Sequence, residues 1–195
     1  MWIKTGLAIL AGLIGGAMLA ALLVFGPFEI GGTAAGPWKT NLLIGDSAAS
    51  PTVRAAIARR GLLALNRSET VYFNATSDDS GQRLREECAY RVSFEQQPDT
   101  RWWSLTLYAA DDFLAVNGDE AHSVTAEHAA AGAGDAMSVL IAPSRPAVPA
   151  FWMSSRHAGH FALTLRLYQP DASISDNPVL AALPRIDRLS CEGES

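Results

Sequence analysis

Three stretches of this chain alternate strictly between inward and outward residue types, and a period of two dictates extended strands rather than helices. In CAYRVSF, Cys88, Tyr90, Val92 and Phe94 share one face. In RWWSLTLY, Trp103, Leu105 and Leu107 share one face, and Trp102, Ser104, Thr106 and Tyr108 the other. HFALTLRLY repeats the habit, with Phe161, Leu163, Leu165 and Leu167 inward and Thr164, Arg166 and Tyr168 outward. Shorter runs, ETVYFNA and MSVLIAP, add further strands, and turn-forming Gly, Pro, Asn and Asp separate them. With no helices alternating between the strands, the pattern predicts an all-β, antiparallel sandwich or jelly-roll-like domain. One packed helix is expected in SPTVRAAIARRGLLALNRS. There Ser50 is a good N-cap, Pro51 suits the first helical position, and Val53, Ile57, Ala64 and Leu65 fall near one face.

The N-terminus obeys a different rule. From Ile3 to Phe25 the only charge is Lys4, and roughly 20 apolar residues at about 1.5 Å each match a hydrocarbon core about 30 Å thick. This predicts a single transmembrane helix, with residues 1–27 as anchor, 28–49 as a Gly/Pro/Ala-rich tether and 50–195 as the β domain. Lys4 on the short side puts Met1 in the cytoplasm and the domain outside, periplasmic in a Gram-negative cell. A cleaved signal is the competing reading, with Thr33-Ala34-Ala35 as its cut, but the apolar run exceeds the usual signal core. Gly12 and Gly16 spell GxxxG, a weak pattern in a run so rich in Gly and Ala.

Beyond residue 25 the chain holds 14 Lys and Arg against 20 Asp and Glu, a net charge of −6. This argues against nucleic acid and anionic lipid as partners, because both call for basic surface. Cys88 and Cys191, the two cysteines, lie past the anchor, and in an oxidising compartment they are expected to pair.

Several motifs invite chemical readings. Gly45-Asp46-Ser47 resembles the first block of the GDS-type serine hydrolases, and Asp119 and His122 supply a D-x-x-H spelling. Those enzymes, however, set the nucleophile on an α/β sheet and place D-x-x-H near the C-terminus, so a turn at Ser47 is the stronger reading. His157 and His160 are too few for zinc, and Asp78-Asp79-Ser80-Gly81 lacks the ligand alternation of a calcium loop, so no metal or cofactor is expected. Asn66 and Asn74 open N-glycosylation triplets. Trp102 and Trp103 cannot form one stacking platform, since alternation sends them to opposite faces. Trp102, Tyr108, Asp111, Asp112 and Arg166 remain as ligand-contact candidates.

The strings ARRGLLALNRSETVYF, DDSGQRL, CAYRVSF, RWWSLTLYAADDFLAVN, HFALTLRLYQP and LPRIDRL together resemble the family of unknown function numbered 1214 (DUF1214), over about residues 50–190. The resemblance implies a β-rich sandwich or jelly roll and a companion domain, numbered 1254, on the same or a neighbouring polypeptide. This chain is expected to lack that companion, so a separate 1254-type protein is the expected partner. It implies no catalytic set. Phe151-Trp152-Met153-Ser154 stands where many members carry Asn-Trp-Leu-Pro. A non-catalytic binding or assembly module is therefore the leading expectation, and a hydrolase of unknown substrate the alternative. Oligomeric state is left open.

Overall fold

The computed structural model describes residues 2–25, 32–59, 64–130, 136–148 and 151–192. Its first element, α1 (Trp2–Phe25), contains a stretch, Lys4–Leu23, that is long and apolar enough to cross a membrane, and none of it is buried against the rest of the chain.

Among the described residues ten strands follow. They are β1 (Thr33–Ala35), β2 (Trp38–Thr40), β3 (Thr70–Ala75), β4 (Cys88–Phe94), β5 (Thr100–Tyr108), β6 (Ser123–Thr125), β7 (Met137–Ala142), β8 (Phe151–Ser154), β9 (Ala162–Pro170) and β10 (Arg185–Cys191). A six-stranded sheet runs β1-β2-β3-β9-β5-β6, and a four-stranded sheet runs β10-β4-β7-β8. The molecule is an all-β sandwich with few helices.

The core is the sum of the inward halves of the alternating strands. Val71, Phe73, Leu105, Leu107, Leu163, Leu165 and Leu167 from the larger sheet meet Tyr90, Val92, Val139, Ile141, Met153 and Ile186 from the smaller one. Phe94 stacks on Trp103 across the interface, with ring centroids 4.8 Å apart. The predicted facing of β4, β5 and β9 is the observed one, with the inward residues buried. On the outward side Trp102, Tyr108, Arg166 and Tyr168 keep partial exposure, whereas Ser104, Thr106 and Thr164 are buried as well.

One strand pair departs from the antiparallel expectation. β8 runs parallel to β7, with Val139 opposite Phe151 and Ala142 opposite Ser154. The sequence between the two strands, residues 143–150, carries Pro143, Pro146 and Pro149. Prolines lack the amide N–H of a ladder donor, which disfavours a direct antiparallel hairpin from β7 into β8.

The expected helix forms over the first part of its pattern. In α2 (Pro51–Arg59) the Ser50 hydroxyl accepts from the Val53 amide at 3.3 Å, the N-cap read from the sequence. Ala64 and Leu65 are non-helical, and Leu65 is 46% exposed rather than on a buried helix face. Two single-turn helices, α3 (Ala126–Ala130) and α4 (Ala172–Asp176), are too short to carry a readable period. Asp171 caps α4 by accepting from the Ser173 amide at 2.8 Å.

The boundary drawn at residue 50 needs correction. From Thr33 the stretch expected as tether belongs to the sheet. β1 and β2 form a hairpin around Gly36, whose φ of 58° suits a two-residue turn, and β2 pairs with β3. Trp38 is buried in the core, and its indole N–H donates to the Pro184 carbonyl at 2.7 Å. Gly, Pro and small residues here mark a hairpin, and one tryptophan supplies the burial that ties it down.

Cys88 and Cys191 are bonded, joining directly opposed positions at the ends of β4 and β10. The bridge spans a sequence separation of 103, so it limits the unfolded chain far more than it adds contacts to the folded one. Replacing both cysteines by serine should lower stability by about 2–5 kcal/mol, read from denaturant midpoints. Trp38→Ala should cost about 3–5 kcal/mol by the same measurement, whereas a tether residue would cost almost nothing.

Candidate functional site

The outward residues of β3, β9 and β5 form a lattice whose rows are set by strand register. Thr70, Tyr168 and Trp102 make one row, Tyr72, Arg166 and Ser104 the next, and Asn74, Thr164 and Thr106 the third. Tyr108 lies opposite Ala162 at the end. This face is polar and aromatic, the inverse of the aliphatic face behind it.

Arg166 stands at its centre, half-buried. Its guanidinium lies over the Tyr108 ring at 5.4 Å and the Tyr72 ring at 5.9 Å. One terminal nitrogen donates to the Tyr108 hydroxyl at 2.7 Å, and the other reaches the Thr106 hydroxyl at 3.4 Å. Among the described residues no carboxylate lies within ion-pair distance of it. A guanidinium has five N–H donors in a planar fork suited to oxyanions. Here two aromatic faces and two hydroxyls hold that fork in place, and its charge is not neutralised locally.

The surroundings are held rigidly. Thr164 donates to Asn74 at 2.8 Å, which takes the amide of the Asn74 glycosylation triplet into the sheet face. The Tyr72 hydroxyl accepts from the Leu65 amide at 2.9 Å, so the segment entering β3 walls one side. On the other side the Trp102 ring leans on Tyr168 at 5.1 Å, and its N–H donates to Glu127 at 2.7 Å. The Thr125 hydroxyl donates to the second Glu127 oxygen at 2.6 Å. These two bonds, Thr125 first, hold the Glu127 carboxyl below the usual glutamate range.

The structure brings together Trp102, Tyr108 and Arg166 from the sequence candidates and leaves Asp111 and Asp112 outside. Asp111 accepts from the Phe113 amide at 3.1 Å, and Asp112 takes a left-handed φ of 67°, so the pair turns the chain after β5. Tyr72, Thr106 and Glu127 were not singled out, because what makes them neighbours of Arg166 and Trp102 is cross-strand register, which no single strand reveals.

The hydrolase spelling lands elsewhere. Ser47 is exposed in a turn beside Asp46, whose carboxylate accepts from the Ala48 amide. Asp119 gives both oxygens to Arg156, at 2.6 and 3.0 Å, and one of them also to the Ser154 hydroxyl at 2.7 Å. The Ser154 bond, ahead of Arg156, holds the Asp119 carboxyl below its ordinary range. His122 Nδ1 is buried without a partner, and no hydrogen bond joins Ser47, Asp119 and His122. Ser154 closes the Phe151-Trp152-Met153-Ser154 strand, and its hydroxyl is spent on Asp119.

Other candidates fall into structural roles. Asp78 accepts from Ser80 and Gln82 within its turn. His157 contacts the Val116 carbonyl at 3.2 Å, and His160 pairs with Arg85 in an isolated bridge. The Asn66 side chain accepts from the Ser68 amide at 3.0 Å in a turn. An open groove at the far end of β5 and β9 is lined by Asp99, Arg101, Gln169 and Asp171, where Arg101 donates to Gln169 and Asp171 serves as the α4 cap.

Fold and site together define a β-sandwich with a polar and aromatic sheet face centred on Arg166. The chain belongs to the DUF1214 family of proteins of unknown function, whose sequence profile matches residues 69–172. That match runs from the approach to β3 through the start of α4 and includes Arg166 and both of its tyrosines. A crystal structure of a Vibrio parahaemolyticus protein matches with a TM-score of 0.54 at 20% identity, covering 73% of this chain and 36% of that one. A second crystal structure, of an uncharacterised Burkholderia cenocepacia protein, matches at 16% identity with a TM-score of 0.47, covering 62% and 30% respectively. The first likeness is one of fold, and the present chain spans about a third of the length of that protein. No curated protein matches the chain.

Glu127 sets a pH expectation. A depressed carboxyl keeps its bonds above the ordinary glutamate value of about 4.3 and loses them as pH falls through its lower folded value. The Trp102 indole N–H resonance should therefore stay constant from neutral pH down to about 4.3 and move only below it. Glu127→Gln should abolish that movement.

Proposed function

We propose that this protein is a single-pass, membrane-anchored binding module, with its N-terminus cytoplasmic and its β domain on the extracytoplasmic side, and that the Arg166 face receives an acidic segment of a companion protein of the 1254 type. The observation that carries the reading is the half-buried Arg166 guanidinium, clamped between Tyr72 and Tyr108 without a carboxylate partner among the described residues. Leaving a preorganised cation unpaired costs stability, and an incoming carboxylate recovers it through charge-assisted, bidentate hydrogen bonds.

Two further features support the assignment. The disulfide suits an oxidising compartment. The apolar N-terminal helix with Lys4 on its short side suits an anchor oriented by the positive-inside rule. Binding rather than catalysis is favoured because Asp119 is already engaged by Arg156 and Ser154, and Ser47 stands in an exposed turn.

The test is affinity recovery from detergent-solubilised membranes, comparing the full chain with its Arg166→Gln variant. The wild type should recover a 1254-type protein, and the variant should lose it at least tenfold while keeping its thermal midpoint within a few degrees, since one buried charge-assisted pair is worth about 1.5–3 kcal/mol. Absence of such a protein from the wild-type eluate, or equal recovery by both chains, would overturn the reading. Protease added outside intact cells should degrade the β domain. Cleavage only after the cytoplasm is opened would reverse the orientation.

A further inference from the structure

The net charge of −6 beyond residue 25 hides an uneven distribution. From Ser47 to Ser68 the sequence contains Arg54, Arg59, Arg60 and Arg67 and no Asp or Glu, and acids resume only at Glu69. Arg54 and Arg67 are both exposed, on α2 and on the turn leading into β3. This basic stretch comes within packing distance of the anchor, because α2 lies against α1.

Exposed apolar side chains gather at the same place. Gly32, where the described chain resumes after α1, lies against the Thr40 carbonyl and the Asn41 side chain, two residues before Leu43. The short 3-10 turn Pro178–Leu180 packs beside β1 and presents Val179 and Leu180. Gly45 lies against the Leu65 backbone, so the Leu43 turn and Leu65 are adjacent. These four side chains are 43% to 61% exposed. A rim of scattered apolar residues is ordinary, but this one lies beside β1, the strand nearest the anchor in sequence, and the basic stretch runs through it.

Chain length then limits what can lie opposite. Seven residues separate Phe25 from Thr33, and a fully extended link of that length reaches at most roughly 29 Å. A domain held that close to a bilayer by its edge strand turns this rim toward the headgroups.

We propose that Leu43, Leu65, Val179 and Leu180, with Arg54 and Arg67, form a collar that docks on anionic phospholipid headgroups of the membrane in which α1 is anchored. The proposal rests on the anchored reading above and narrows the exclusion of anionic lipid drawn from net charge: a local basic and apolar surface is what an interface recognises. Docking fixes the sandwich over its anchor and sets the height and orientation of the Arg166 face. The loop carrying the exposed Val116 follows Tyr108, four strands across the sheet from β1 and at the other end of β5, and stays clear of the bilayer.

The test uses the full chain in nanodiscs, with an environment-sensitive fluorophore on Leu65→Cys, on Leu180→Cys and, as control, on Val116→Cys. The native cysteines are bridged and do not compete for label under non-reducing conditions. Discs of phosphatidylcholine with and without phosphatidylglycerol carry spin-labelled lipid as quencher. Labels at positions 65 and 180 should be quenched in phosphatidylglycerol discs and the label at 116 should not. The Arg54→Glu and Arg67→Glu pair should undock the rim, each arginine near an anionic surface being worth about a fivefold change in docked population. Quenching at 65 and 180 no greater than at 116, as when a protein partner covers the rim instead, would overturn the collar. So would indifference to phosphatidylglycerol and to charge reversal. Failure of the chain to enter discs at all would instead overturn the anchored reading, and the collar with it.

Discussion

Everything distinctive about this domain hangs on the register of β9 between β3 and β5. With Leu163, Leu165 and Leu167 turned into the sandwich, Thr164, Arg166 and Tyr168 must face outward. A slip of one residue would exchange the two sets, driving a guanidinium into an aliphatic core and three leucines into water. The burial that holds the sheets together is thus the same constraint that presents Arg166 beside Tyr72 and Tyr108. Core and site are two faces of one strand.

The edges of the sandwich are secured by interactions distant in sequence. Trp38 ties the N-terminal hairpin to the chain just before β10 through the Pro184 carbonyl, and Cys88–Cys191 fastens β10 itself to β4. Both act where strands are short or terminal and where backbone pairing alone leaves them prone to fray. The domain therefore starts at the hairpin, well before the region matched by the family profile, and it closes near the C-terminus. Only seven residues therefore separate the apolar helix α1 from β1 in sequence.

Much of this was legible in the chain because alternation is local. Strand existence, the facing of Trp102 against Trp103, the Ser50 cap and the pairing of two lone cysteines each follow from a handful of neighbouring residues and elementary chemistry. Where the reading missed, the deciding partner lay elsewhere. Residues 33–40 look like linker until Trp38 is seen in the core. The parallel entry of β8 depends on which strand lies beside it. Tyr72 and Glu127 join the site only through neighbours contributed by other strands.

What the sequence determined by itself was therefore every property with a short period: an apolar span as long as a bilayer is thick, strands with one greasy face, and a turn wherever Gly, Asp and Asn cluster. What only the tertiary structure decided was which strands lie side by side. Backbone hydrogen bonding is indifferent to side-chain identity, so a strand carries no label naming its neighbour. Pairing is chosen by the collective burial of both sheets, and that choice put Arg166 between Tyr72 and Tyr108 and carried Trp38 into the core.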